Sequence, residues 1–217
     1  MYTKPLSYSG MKLFKQCPRR WESRYIHKKY EPQGKAASRG VDLHTEIENF
    51  FVDHMVNSLK SAPLTPWRQF MANLTLRNPS VEAKMAVNEH WEPVDFNDPA
   101  AYYRGMADLK YEDNTRLHIF DWKSGKIYPD HVDQGRTYMA LSPEYEEYHV
   151  HFVYLDLPME VHSFKFTHND RIQEIRTLKE DIELVRTTTV YEPKPHHQTC
   201  QWCPLSWRKG GECRAAP

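Results

Sequence analysis

The segment Ile119-Phe120-Asp121-Trp122-Lys123-Ser124-Gly125-Lys126 sets a carboxylate and an ammonium two residues apart, directly before a Ser-Gly turn. In a strand, residues two apart project from one face, so Asp121 and Lys123 would emerge together at the strand exit. Such a pair can hold a divalent cation and set an ammonium beside a phosphate. Asp-x-Lys alone is weak evidence, because any charged strand end can show it. The preceding run Arg104-Gly105-Met106-Ala107-Asp108-Leu109 adds a second carboxylate, and Asp108 precedes Asp121 by the 13 residues that a hairpin needs to bring them together. Two facing carboxylates repel unless a cation lies between them. Hard oxygen donors select Mg²⁺ or Mn²⁺ over zinc. The competing explanation is two independent surface acids.

Two further groups stand at helical spacing. His44 follows Arg39-Gly40 and lies four residues before Glu48, while Gln134 and Tyr138 are four apart and share a helix face. Surface packing accounts for Gln134 and Tyr138 almost as well as contact with a nucleic-acid backbone. A lone helix histidine is usually structural or solvated. The cysteines form a separate constellation: Cys200-x-x-Cys203, then Cys213, and Cys17 far upstream. Without a signal peptide this spacing favours metal over disulfide. An iron–sulfur cluster, a zinc ion with His196 or His197 in place of Cys17, and four unliganded thiols are the three readings.

The elements that must position these residues follow from hydrophobic period. Ser7 or Ser9 caps a first helix carrying Met11, Leu13 and Phe14, and Pro18 opens a second one holding Trp21, Tyr25 and Ile26. Apolar residues recur at helical spacing over 38–59, and a short helix is expected at 66–74. The period then changes to strands at 81–88, 102–111 and 117–122, a helix at 130–141, strands at 148–155 and 161–166, and a long charged helix at 170–187. The tail from Pro193 has little regular pattern. This order specifies an α/β domain on a mixed sheet.

The chain has 217 residues, 40% apolar and 27% charged, which suits one soluble domain. No run of about 18 apolar residues could span a membrane, and the first residues lack a signal-peptide core, so a cytoplasmic location is expected. Net charge is zero, yet residues 1–40 carry ten Lys/Arg against two acids. A basic N-terminal face on an acidic body suits a phosphate track beside a carboxylate-rich site; a solvated helix surface is the alternative. The candidate DNA contacts are Lys15, Arg19, Arg20, Arg24 and Lys28. No HExxH, Walker loop or GxSxG elbow is present, so zincin, NTPase and serine-hydrolase chemistry has no support.

The ordered set Cys17-Pro18-Arg19-Arg20-Trp21, Arg39-Gly40-x3-His44, Gly105-x2-Asp108, Asp121-x-Lys123-x-Gly125 and Gln134-x3-Tyr138 resembles the RecB-like branch of the PD-(D/E)XK nucleases. The AddB nuclease domain and CRISPR-associated RecB-like exonucleases are relatives in that branch. The resemblance runs from residue 9 to 213. It implies a restriction-endonuclease-like core with a mixed sheet flanked by helices, in a single domain: basic N-terminal helices (1–37), nuclease core (38–190) and cysteine-bearing tail (191–217). It implies metal ligation by His44, Asp108, Asp121 and the Trp122 carbonyl, a catalytic Lys123, and Gln134 and Tyr138 as a downstream helix motif, with Glu82 in an outer layer. It further implies a [4Fe-4S] cluster on Cys17, Cys200, Cys203 and Cys213, joining the tail to the N-terminal helices. The Cys203–Cys213 gap is longer than in such relatives, and zinc is the rival. The activity implied is Mg²⁺- or Mn²⁺-dependent phosphodiester hydrolysis at DNA ends, single-stranded or frayed. The settings it suggests are recombination, repair and CRISPR-type end processing, in a phage or mobile element. The other function class is a catalytically weak DNA-binding module serving a helicase or recombinase. Retention of Asp108, Asp121 and Lys123 together favours the enzyme.

Overall fold

The computed structural model describes residues 2–30, 34–53, 58–157 and 159–215. It divides into two compact units, Gln33–Arg176 and Met1–Pro32 with Thr177–Pro217.

The larger unit is a five-stranded sheet in the order β1-β2-β3-β4-β5, with β1 Ser80–Val87, β2 Tyr103–Asp113, β3 Arg116–Lys123, β4 Glu147–Tyr154 and β5 Glu160–Thr167. Neighbours are antiparallel except β3 and β4, which run parallel. The parallel pair requires a crossover, supplied by a helix at His131–Leu141 (α5 in chain order). Helices α3 (Lys35–Asp53) and α4 (Arg68–Thr75) supply the other layer. Leu43, Ile47, Phe50 and Phe51 of α3 and Met71 and Leu74 of α4 form one core with Leu109, Phe120, Trp122 and Val153 of the sheet. Alternation along β3 sends Phe120 and Trp122 into this core and leaves Asp121 and Lys123 to the α5 side. Every expected strand is present with ends shifted by at most two residues. The helix expected over 38–59 is described from Lys35 to Asp53, and residues 54–57 lie outside the described set.

The smaller unit holds α1 (Tyr8–Gln16), α2 (Pro18–Tyr25) and the latter part of α6 (His168–Thr187). Ser7 Oγ accepts from the Gly10 N–H at 3.4 Å, and Pro18 stands at the start of α2, as expected. Fully buried Trp21 is its centre: Tyr2 and Phe14 meet the indole edge-on, and Tyr25 and Tyr191 stack on it at 5.3 and 5.7 Å. Tyr191 precedes the cysteine tail, so aromatic packing supports that segment in a way its irregular pattern did not suggest. Among its described residues the tail itself holds only the short helix α7 (His197–Cys200) and a 3₁₀ turn at Trp207–Lys209. Among the described residues no helix is long and apolar enough to cross a membrane.

Candidate functional site

The ladder between β2 and β3 runs from Asp113↔Arg116 to Leu109↔Phe120 and stops. Beyond it β2 continues beside β1 alone and β3 beside β4 alone, so the two strands fork. Asp108 and Asp121 are the next residues on the two arms. At the fork the Trp122 N–H, which has lost its ladder carbonyl, donates instead to Asp108 Oδ2 at 2.6 Å. His44 on α3 meets the same place: its Nδ1 lies 3.2 Å from Asp108 Oδ1 and its Nε2 2.8 Å from the Trp122 carbonyl oxygen.

Glu82 completes this group. Its position on β1 is opposite Asp108, between the pairs Val81↔Leu109 and Ala83↔Ala107. Its φ of +48° is a left-handed conformation rare for a residue with a long side chain. Such strain persists only where the surroundings over-determine it. His44, Glu82 and Asp108 each offer a ligand atom within 4.8 Å of the others; among the described residues they are the one group of three or more His, Cys, Asp or Glu so arranged. Glu82 was expected farther out. The signal that could have found it is register: a hairpin that aligns Val81 with Leu109 must set Glu82 against Asp108.

A second network lies on the α5 side of β3. Asp121, only 4% exposed, takes the Lys123 ammonium on Oδ1 at 2.7 Å, and on Oδ2 the Gln134 amide at 2.9 Å and the Tyr138 hydroxyl at 2.6 Å. Gln134 also donates to the Tyr138 oxygen at 2.6 Å and accepts from Lys123 at 2.8 Å. The four-residue spacing of Gln134 and Tyr138 thus points both at one carboxylate. Lys123 is held at three points: Asp121, Gln134 and the face of Phe152, 5.4 Å from the ring centre.

The electrostatics are those of carboxylates crowded away from water. Burial, then the neighbouring Asp121 charge, raises the Asp108 pKa, and His44 only partly offsets this. Burial, then Asp108 and Glu48, raises Glu82. For His44 burial disfavours the charged ring, but the Asp108 hydrogen bond and the charges of Asp108 and Asp121 outweigh it, and its pKa rises. Burial and the same two aspartates hold Tyr138 well above a free phenol. Burial is the first cause of the rises at Asp108, Glu82 and Tyr138, and neighbouring negative charge adds to each. A divalent cation would neutralise that charge, and a set of carboxylate oxygens, a carbonyl and one imidazole is the donor chemistry of Mg²⁺ or Mn²⁺.

The turn after Lys123 is clamped from α3 and from the turn that follows β4. Arg39 makes a two-point ion pair with Asp156, and Asp156 Oδ2 accepts from the Gly125 N–H at 2.7 Å. Gly125 has a φ of +105°, which only glycine adopts freely. A Cβ on Gly40 would lie 2.9 Å from Ser124 Oγ, so glycine lets α3 approach this turn. The Arg39-Gly40 motif thus fixes the strand exit that carries Lys123.

The cysteines and the basic residues belong to the smaller unit. Cys17, Cys200, Cys203 and Cys213 all line one pocket, with Arg19, Pro193 and Pro195 among its walls. Lys15 pairs with Asp181 of α6 at 2.5 Å, and Lys28 donates to the Tyr25 carbonyl at 2.6 Å, so both are partly committed within the fold. Arg19, Arg20 and Arg24 lie on α2.

The model of the PD-(D/E)XK nuclease superfamily matches residues 5–208. Among solved structures, that of SSO0001 aligns over 100% of this chain and 89% of its own, with a TM-score of 0.54 and 18% identity. A protein of Eubacterium rectale, provisionally described as an exonuclease, aligns over 88% of this chain and 84% of its own, with a TM-score of 0.53 and 13% identity. At these identities the likenesses speak to fold. No curated protein matches the sequence.

Proposed function

The chain belongs to the PD-(D/E)XK nuclease superfamily, and from that premise we propose that it is a divalent-metal-dependent DNA exonuclease of the RecB-like branch, acting on single-stranded or frayed ends in recombination, repair or related end processing. The observation that carries this reading is the fork between β2 and β3, where His44, Glu82 and Asp108 converge one residue step from the Asp121–Lys123–Gln134–Tyr138 network.

In this reading His44, Glu82, Asp108, Asp121 and the Trp122 carbonyl hold Mn²⁺ or Mg²⁺. Held there, such an ion would supply a water of lowered pKa and positive charge beside the leaving oxygen. Asp121 accepts three hydrogen bonds and keeps lone-pair capacity for a ligand. An ammonium has three donors; Lys123 uses two on Asp121 and Gln134, and the third serves the attacking water or a phosphoryl oxygen. Gln134 and Tyr138 keep that ammonium and carboxylate in register. Arg19, Arg20, Arg24, Lys15 and Lys28 would contact phosphates, Lys15 after releasing Asp181.

For the cysteines we propose a [4Fe-4S] cluster on Cys17, Cys200, Cys203 and Cys213. What supports a shared metal site is that all four cysteines line one pocket; a zinc ion is the alternative occupant.

The deciding experiment is incubation of end-labelled linear and closed circular single-stranded DNA with Mn²⁺, with Mg²⁺ and with EDTA. Stepwise shortening of the linear substrate with Mn²⁺, no reaction in EDTA and an intact circle are expected. Cleavage of the circle would refute the exonuclease reading, and inert linear DNA in Mn²⁺ would refute the nuclease.

A further inference from the structure

Of the six tryptophans, Trp21, Trp67, Trp91 and Trp122 are buried, while Trp202 is 71% and Trp207 53% exposed. Both exposed indoles stand in the cysteine tail. An indole is among the most stabilising groups a fold can bury, so two left in water on one short segment contribute little to folding. Nor is this segment loose backbone. Cys203 N–H bonds Cys200 O, Ser206 N–H bonds Cys203 O, Trp207 N–H bonds Cys213 O at 3.0 Å, and Cys213 N–H bonds Leu205 O at 2.7 Å. Gly210, at φ +82°, closes the turn beyond Trp207–Lys209. The cysteines line the pocket while Trp202, between Cys200 and Cys203, projects outward.

Each indole is accompanied by a cation. Lys209 Nζ lies 5.1 Å from the Trp202 ring centre and the Arg208 guanidinium 5.7 Å from that of Trp207. Neither Arg208 nor Lys209 has an acidic partner among the described residues, and both are exposed. A groove lined by His197, Gln201, Arg208 and Lys209 lies at this surface. Exposed indoles on a hydrogen-bonded backbone, interleaved with cations that lack an acidic partner among the described residues, suit a ligand that is polyanionic and carries flat π faces. Single-stranded nucleic acid has both, whereas a duplex turns its base faces inward. A cation near the ring adds attraction without sequence preference.

We propose that Trp202 and Trp207, with Arg208 and Lys209, form a base-stacking subsite for single-stranded DNA. The inference rests on the nuclease reading for the identity of the ligand, and it assigns the tail a binding role beyond that of the cysteines.

The test is fluorescence anisotropy with the full chain, in buffer free of divalent cations and of chelator, on labelled oligo-dT and on an abasic oligonucleotide of equal length. Wild type should bind oligo-dT more tightly than the abasic strand. Trp202→Ala and Trp207→Ala should each weaken oligo-dT binding roughly tenfold and leave abasic binding unchanged. Trp202→Phe and Trp207→Phe should keep most of the affinity, which also covers the case in which an alanine variant misfolds. Lys209→Gln should lower the slope of log affinity against log salt by about 0.7. Equal binding of the two strands by wild type, or equal loss on both in the tryptophan variants, would overturn the subsite. A change in sedimentation mass of those variants with unaltered DNA affinity would also overturn it, marking instead a contact between copies. If wild type cleaves linear DNA while these results fail, only the subsite falls; if it neither cleaves nor binds DNA, the nuclease reading falls with it.

Discussion

At the forked strands every candidate side chain sits on a regular element, and several are fixed by a neighbour: Asp108 by the Trp122 N–H, His44 by Asp108 and the Trp122 carbonyl, Lys123 by Asp121 and Gln134. The cysteine pocket instead takes Cys17 from between α1 and α2 and its other three cysteines from a tail that, among the described residues, holds one four-residue helix and a 3₁₀ turn. The first region is positioned by a sheet that folds for its own hydrophobic reasons. The second has Trp21 and its ring partners at its base and little beyond them. Under the proposed reading the contrast is between two ways of placing ligands: in one the scaffold would precede the metal, and in the other the metal would supply part of the scaffold.

The sharpest way to break this contrast is to remove a thiol. By the chain-entropy estimate for cross-links, joining Cys17 to the tail closes a loop long enough to contribute about 5 kcal/mol. Cys203→Ser is expected to lower the melting temperature steeply, to bleach the brown colour of anaerobically purified protein, and to reduce cleavage only as far as folding is lost. An unchanged melting curve in metal-free wild type would place the tail in the same class as the sheet.

Lys123→Ala addresses the other side. Removal of one transition-state donor in a buried site lowers turnover by about 10²–10³-fold. Cleavage rates should fall by that factor, while unfolding stays cooperative and the tail retains its metal. Wild-type rates would remove Lys123 from the chemistry.

A smaller effect separates charge from shape at the fork. Burial, with the Asp121 charge at Asp108 and the Asp108 charge at Glu82, raises the folded-state pKa of both carboxyls. For His44 burial lowers it, but the Asp108 hydrogen bond and the charges of Asp108 and Asp121 more than offset that. A group whose folded pKa is raised favours the fold below its ordinary value and loses that contribution as pH rises through the folded one. Without divalent cations, Asp108→Asn should therefore gain on wild type in thermal stability as pH rises, and Mn²⁺ should stabilise wild type more at high pH than at low. An Asp108→Asn variant that loses ground to wild type as pH rises would contradict the proposed crowding of negative charge.

The smallest effect concerns Lys15. Its pair with Asp181 joins side chains that are 56% and 20% exposed, so Lys15→Ala should cost under about 1 kcal/mol. If Lys15 contacts phosphate, the same variant weakens DNA binding at low salt and much less at high salt. Salt-independent loss would mean that its role is structural.

The sequence made the elements legible because period is a local property. Phe120 and Trp122 alternate with Asp121 and Lys123 along β3, and Gln134 and Tyr138 repeat at one helical turn, so their faces could be read before their partners were known. What escaped was set by pairing between distant segments. Glu82 joins Asp108 through cross-strand register and a positive φ. Arg39 meets Asp156 across 117 residues, and Tyr191 finds Trp21 across most of the chain. The end of the β2–β3 ladder carries no compositional mark, because Asp108 replaces a backbone carbonyl with a side-chain one.

That replacement makes the Trp122 amide proton a gauge. Its hydrogen-bond acceptor is the same Asp108 carboxylate that a cation would draw upon. A ligand that pulls Oδ2 away frees the proton to exchange with solvent, whereas one that locks Asp108 in place slows exchange. Deuterium uptake at this single backbone position should thus track occupancy of the fork without a substrate, a chromophore or a mutation.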